Sequence, residues 1–420
     1  MKRTILILLI AAAALLNATG EDMVVHEWGT FTSVQGSDGV LLEWNPFQAA
    51  DLPAFVYDRA KPGAQFQLAQ NRSPEMRVTK SGVVAFQRME TPVLYFYTGR
   101  ETDVDVTVRF PEGLITEWYP QVRDFGPQQA FAPDAKSLRN GFLRWGRVHL
   151  MPSDRSPQLA REIPVDSSGS HYFAARETDS AYVRLCSLSS DVRKPEYEKF
   201  LFYRGVGNFP APLRVAATSD NRITVENTGH EDLTHLFVLD IRGQKGGFLP
   251  LNQLKAGERS VIHLEDGKNA LPLDEVAAQL SKKMEESLIA QGLYPREARA
   301  MVNTWKDSWF SENGTRVLYL LPDAWTSRTL PLTLSPVPKE LVRVMVGRAE
   351  VITLHAENEI LQHLRRLTGS KPGAHQQALV ALQKLGRFAE PTLRRVAHNS
   401  ADPGVRAHAE KLLRAMTTVP

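Results

Sequence analysis

Period-two alternation is the feature that most restricts what this chain can fold into. Val104, Val106, Val108 and Phe110 alternate with Asp103, Asp105, Thr107 and Arg109, which gives an extended segment one apolar and one wet face. The same period recurs at Val24–Val34, Val40–Trp44, Val83–Gln87, Val93–Tyr97, Leu114–Tyr119, Trp145–Leu150, Phe200–Val206, Arg222–Glu226, Leu236–Ile241 and Ser260–Leu264. Turn residues punctuate the series at Gly36-Ser37-Asp38-Gly39, Asn227-Thr228-Gly229 and Gly243–Gly247. Many short strands spaced in this way predict an antiparallel β-sandwich body. Within it, Leu213–Leu264 reads as a small immunoglobulin-like or related β unit.

The period then changes to that of a helix. Leu273, Val276, Leu280, Met284 and Leu288 share one face of a segment opened by Pro272 and Asp274 and closed at Gly292. A second helix starts at Pro295 and turns Ala298, Met301, Val302 and Trp305 inward. Strands resume at Arg316–Leu321, Thr329–Leu334 and Leu341–Val346, an order that predicts an α+β body rather than a parallel βαβ fold. Four short helices complete the chain: Leu354–Leu367, Ala374–Leu385, Phe388–His398 and Pro403–Met416, the last with Asp402 as its cap. The predicted layout is a signal segment at 1–20, a β-rich domain at 21–212, and a β unit at 213–350 carrying the helical insertion 272–307. The helical tail is 351–420. The two β units are read as either one fold or two.

Charge sharpens that division. The chain has 50 Lys+Arg and 47 Asp+Glu, but residues 339–420 hold 13 basic and 7 acidic side chains, and residues 21–338 hold 35 and 40. Residues 21–338, at −5, are thus joined to residues 339–420, at +6, a segregation that favours docking between the two parts or with a partner. The near-neutral total does not point to nucleic acid.

Lys2-Arg3, the apolar run Ile5–Leu16 and Ala18-Thr19-Gly20 have the three parts of a secretory signal. Export to the periplasm or outside the cell is expected, with no membrane span left after cleavage. Cys186 is the one cysteine. No intramolecular disulfide can form, and the alternating Tyr182-Val183-Arg184-Leu185-Cys186 makes it a small buried hydrophobe.

Standard catalytic signatures are missing: no phosphate loop, nucleophile elbow, Cys-x-x-Cys pair or dinucleotide fingerprint occurs. No cofactor is implied. His26-Glu27-Trp28-Gly29-Thr30 opens like a zincin motif but has Thr30 where the second histidine belongs, and a strand there puts His26 and Glu27 on opposite faces. His230, Glu231, Asp232 and His235 are dense in ligand types and are the remaining metal candidates, on a turn. Trp28, Trp118, Trp305 and Trp309 are candidate ligand platforms, since sugar rings stack on indoles. Glu90, Glu117, Glu177 and Glu312, with His26 and Arg204, are the candidate catalytic groups of a hydrolase, whose acid/base chemistry needs two carboxyls at a defined separation. Arg176-Glu177 and Lys199 to Arg204 read as ion pairs organising the sheet.

Two resemblances add to this. Ala378-Leu379-Val380-Ala381-Leu382 with Leu385-Gly386, Pro391-Thr392-Leu393 and Asp402-Pro403-Gly404-Val405-Arg406 with Ala409 and Leu412-Leu413 resemble HEAT-type helical repeats over about one repeat and part of a neighbour. That resemblance implies protein binding by the tail. The body carries His26-Glu27-Trp28-Gly29-Thr30-Phe31-Thr32-Ser33, Met89-Glu90-Thr91-Pro92-Val93-Leu94-Tyr95-Phe96-Tyr97, Ile115-Thr116-Glu117-Trp118-Tyr119-Pro120, Ala175-Arg176-Glu177-Thr178-Asp179, Lys199-Phe200-Leu201-Phe202-Tyr203-Arg204-Gly205 and Ala300-Met301-Val302-Asn303-Thr304-Trp305. It resembles a family of bacterial exported proteins with an N-terminal His-Glu-Trp-Gly-Thr-Phe-Thr-Ser motif. The resemblance implies a location and a layout, and it carries no activity.

The sequence thus leads to an exported protein that binds a glycan or protein partner of the bacterial envelope, with the tail as interaction module. The alternative is an exported hydrolase built from the scattered carboxylates, and structural filling of the envelope is a third reading.

Overall fold

The computed structural model describes residues 19–47, 52–59, 84–127, 138–167, 169–185, 195–218, 222–263, 270–368, 372–385 and 388–417. Cys186 and most of the signal segment lie outside them. The body is α+β, with large, mainly antiparallel sheets. Its central sheet has eleven strands. Ten follow in the order Leu271–Pro272, Lys245–Leu254, Leu233–Arg242, Gly314–Leu321, Val337–Val351, Thr19–Gln35, Gln87–Tyr97, Leu201–Gly207, Gly113–Tyr119 and Tyr57–Asp58, and Leu41–Leu42 pairs beside Thr19–Gln35. The first and the closing strand run parallel, from Val24 opposite Glu340 to Gln35 opposite Val351. The other pairings in this sheet are antiparallel. Strands from both sides of residue 212 therefore share one sheet.

Both faces of this sheet are apolar, and alternation assigns them. Leu236, Val238, Val317, Tyr319 and Met345 face a core shared with Val104, Val106, Val108 and Val148 of a six-stranded sheet and Val215 and Val225 of a three-stranded one. Their neighbours Phe237, Leu239, Leu318, Leu320 and Val344 face the helices Leu273–Ala290 and Pro295–Lys306 and the π-helical turn Asp307–Ser311. Val276, Leu280, Met284 and Leu288 are fully buried there. At roughly 2 kcal/mol per side chain they contribute on the order of 8 kcal/mol.

Two expectations change. The strand expected at Val93–Tyr97 starts earlier, at Gln87, and crosses a register shift where Thr91 has φ 44° and Pro92 follows; Val83 lies outside the described residues, and Ala85 only bridges to Trp44. The stretch 213–264 does not close into its own unit. Leu213–Ala217, Arg222–Asn227 and Arg259–His263 form the three-stranded sheet, whereas Leu233–Arg242 and Lys245–Leu254 join the central one. Local alternation cannot say which sheet a strand enters.

The tail is four helices, Leu354–Leu367, Pro372–Leu385, Glu390–Asn399 and Pro403–Thr417. Asp402 caps the last by accepting from the backbone N–H groups of Gly404 and Val405. Ile360, Leu364, Ala378, Leu382, Leu393, Val405 and Ala409 make a core of its own. It docks on the body through Val34, Leu42, Trp44 and Ile352 and through two of its own carboxylates. Glu357 accepts from the backbone N–H and hydroxyl of Ser37 at 3.2 and 3.0 Å, and Glu390 accepts from the backbone N–H of Asn45 at 2.9 Å. Arg395 and Arg394 neutralise them from within the tail. Among the described residues, the polar contacts given from tail to body are thus made by acidic side chains. Glu390→Ala leaves the Asn45 N–H and Arg394 without this buried acceptor, a loss of about 1–3 kcal/mol. Hydrogen exchange should quicken roughly 5- to 150-fold at residues 41–45 and 390–399 while the central sheet stays protected; unchanged exchange there would contradict this docking.

Candidate functional site

The motif from His26 to Ser33 lies in the middle of the central sheet, and its residues are structural partners on both faces. His26 Nδ1 is 2.7 Å from Glu297 Oε2, with both side chains fully buried, and the Tyr97 hydroxyl donates to the same oxygen at 3.1 Å. The ring of Tyr294 covers His26 at 4.5 Å. On the other face Glu27 accepts from Arg343 Nε at 2.6 Å and from the Tyr203 hydroxyl at 2.5 Å. Glycine is required at position 29, because a Cβ would sit 2.9 Å from the Cα of Pro92 across the register shift. The opposite-face expectation for His26 and Glu27 holds, and each has its own buried partner.

The other candidates are dispersed. Glu90 accepts from Thr32 at 3.2 Å and pairs with Arg88 at 3.1 Å. Glu312 pairs with Arg348 at 2.7 Å, in a row where Glu350 also holds Arg348 and Arg316. Glu117 accepts from the Thr116 hydroxyl and lies opposite Arg204 in the register of Gly113–Tyr119 and Leu201–Gly207. Glu177 is exposed. Arg176, read with it as a pair, instead donates to Glu198 at 2.6 Å, whose carboxyl is pushed up by burial against the pull of Arg176. Of the six groups named for a hydrolase, Glu90 and Glu312 both act on Arg348 and Glu117 faces Arg204, while His26 pairs with Glu297 and Glu177 lies at the surface. Some of their partners come from distant parts of the sequence, Glu297 for His26 and Arg348 for Glu312, which local spacing does not reveal.

The four tryptophans, Trp28, Trp118, Trp305 and Trp309, lie in the interior. Trp118 packs at 4.8 Å from Phe125, and Trp305 stacks on Trp309 at 6.2 Å. The metal candidates are held by protein groups. Arg328 grips Glu231 through both oxygens at 2.6 and 3.1 Å, and Asp232 accepts from Gln253 and from the Ala256 N–H. His235 is on the strand Leu233–Arg242 at φ 51°, and burial lowers the pKa of its ring. Among the described residues no group of three or more His, Cys, Asp or Glu side chains is placed to hold a metal ion.

A concave site lies elsewhere. A cleft of about 850 Å³ opens where the hairpin of Leu233–Arg242 and Lys245–Leu254 meets the helix Leu273–Ala290, the three-stranded sheet and the first tail helix. Arg222, Arg242, Lys245 and Lys283 line it, with Phe248, Leu249, Leu271 and Leu354 as apolar surface. Asp240, the one acidic side chain among its described lining residues, accepts from the Thr315 hydroxyl at 2.6 Å and pairs with Arg242 at 2.8 Å. Leu354 and His355 open a helix whose N-terminal dipole end is positive. The size is that of a ligand site, and its surplus charge suits an anion. In the sequence Gly243–Gly247 reads only as a turn. The basic residues flanking those glycines, Arg242 and Lys245, were the available signal, but Arg222 and Lys283 join them only through the fold.

No family model matches this chain, and no curated protein matches it. Solved structures similar to it include the yeast delta-COP-I mu-homology domain complexed with a Dsl1 WxWxV peptide, at 6% identity and a TM-score of 0.27, covering 79% of this chain and 98% of that one. The yeast delta-COP-I mu-homology domain alone is similar at 7% identity and a TM-score of 0.27, with 79% and 97% covered. Among the described residues no helix is long and apolar enough to cross a membrane.

Proposed function

We propose that this chain is an exported binding protein of the bacterial envelope, built on a sandwich-like body with a HEAT-like tail, and that it takes an anionic glycan or protein partner in the cleft beside the first tail helix. The observation that carries this is the charge along the described lining of the cleft: Lys245 and Lys283 face it beside the Arg242–Asp240 pair. The resemblance of the body to exported proteins and the signal-like residues 1–20 support the location. In this reading the tail supplies one wall of the site as well as an interaction surface.

Titration calorimetry of the full chain with oligogalacturonate and with a glutamate-rich peptide tests it. At least one should bind, more weakly as salt rises, and the double variant Lys245→Glu, Lys283→Glu should lose more than tenfold in affinity. Both lysines are exposed, so the fold should tolerate the change. Failure of both probes to bind at millimolar concentration, or binding indifferent to the double variant, would overturn the assignment.

A further inference from the structure

The cleft wraps around a sheet edge. Lys245–Leu254 is paired along its inner side with Leu233–Arg242. On its outer side, among the described residues, only Lys245 and Gly246 are paired, with Pro272 and Leu271. From Gly247 onward that edge has no strand partner among the described residues, and Gly247, Phe248, Leu249 and Pro250 line the open volume. The volume reaches both faces of the edge. Lys283 belongs to the helix packed on the face of Leu239 and Ile241, whereas Asp240 and Arg242 alternate with those residues and point to the opposite face.

From this geometry we infer that the partner is an extended acidic peptide segment, added as a strand to the outer edge of Lys245–Leu254. The inference rests on the cleft being the binding site and names its occupant. Successive side chains of an added strand point to opposite faces. Carboxylates near its end meet Lys283 on one face and Arg242 and Lys245 on the other. Apolar side chains farther along meet Phe248, and the exposed Leu249 and Leu354, which keep 38% and 37% of their surface open. Charge complementarity thus selects an acidic segment, and the edge selects an extended one. Pro250 interrupts the donors once, a device that suppresses open-ended strand association, so the surface suits a short segment rather than the whole edge of a second copy.

Fluorescence anisotropy with the full chain tests this. The probe is a labelled octapeptide of three glutamates followed by alternating valine and threonine, together with its reversed sequence. One of the two should bind. Methylating its backbone nitrogens at every second residue, in both registers, should weaken binding at least tenfold in one register, because strand addition uses those donors and acceptors while charge and side chains are kept. Lys245→Glu, Lys283→Glu should also weaken it at least tenfold. Equal affinity of both methylated peptides and the parent would overturn strand addition. Binding of oligogalacturonate in a charge-dependent way, with no binding of either peptide, would overturn the peptide assignment and leave the cleft as a glycan site. Failure of every probe would overturn both.

Discussion

Glu350→Gln is expected to destabilise the protein by about 3–5 kcal/mol, the range for breaking a buried ion pair from one side. Arg316 and Arg348 are 0% and 1% exposed, and Glu350 takes Arg316 Nε at 3.0 Å and Arg348 Nε at 2.6 Å. Arg316 lies opposite Glu350 across the paired strands Gly314–Leu321 and Val337–Val351. Without the carboxylate, Arg348 keeps its ion pair with Glu312, whereas Arg316 keeps the carbonyls of Trp309 and Asn313 and the weaker pull of Glu312. Burial already lowers the Arg316 pKa, with Glu350 as the main opposing influence. Most of the loss therefore falls on Arg316. The double variant Arg316→Met, Glu350→Leu should recover much of it, since a charge pair of this kind is replaceable by packed apolar groups. Urea unfolding at constant slope measures both. A loss below about 1 kcal/mol for Glu350→Gln would mean that Arg316 is not buried as described.

Alkaline pH should unfold the chain steeply above about pH 10. Tyr95, Tyr172, Tyr203 and Tyr319 are buried, and in each case burial is the main influence that raises the hydroxyl pKa. Nearby Glu198 at Tyr172 and Glu27 at Tyr203 push in the same direction. In the unfolded chain a tyrosine loses its proton near pH 10, so above that pH the folded state holds more protons than the unfolded one. Stability then falls by about 1.4 kcal/mol per pH unit for each tyrosine, roughly 5–6 kcal/mol for the four together. Lys199 acts in the opposite sense. Burial lowers it from 10.5 to about 8, against the pull of Asp179. Between those values the unfolded chain holds a proton the folded one has released, so stability rises with pH across that window. A shallow rise followed by a steep fall is the expected profile, and Lys199→Met should flatten the rise. Tyrosinate absorbance recorded with circular dichroism should show the four hydroxyls ionising together with unfolding. Ionisation of all ten tyrosines near pH 10 with structure intact would contradict the packing.

Much of the architecture is legible because it follows from local periodicity. Val276, Leu280, Met284 and Leu288 bury as their spacing says, and the helix Leu354–Leu367 begins and ends where its pattern does. The pairing of the first strand with the last is not legible, since Glu27 and Arg343 meet across 316 positions of sequence. For the same reason the charged candidates looked like a scattered catalytic set. Glu117 faces Arg204 through sheet register, and register is a property of the whole sheet. The tail shows the opposite failure: its net charge suggested attraction by basic residues, whereas two buried glutamates and Trp44 make the contact. The cleft was hidden because its cations come from two sheets and a helix, none with a motif of its own.

Hydrogen exchange of the full chain with and without the acidic octapeptide tests the central claim most directly. Protection should appear in 247–254, with smaller changes in 279–283 and 354–358. Protection confined to 372–417, or none at 247–254 at a peptide concentration that saturates the anisotropy signal, would contradict a binding edge at the junction of body and tail.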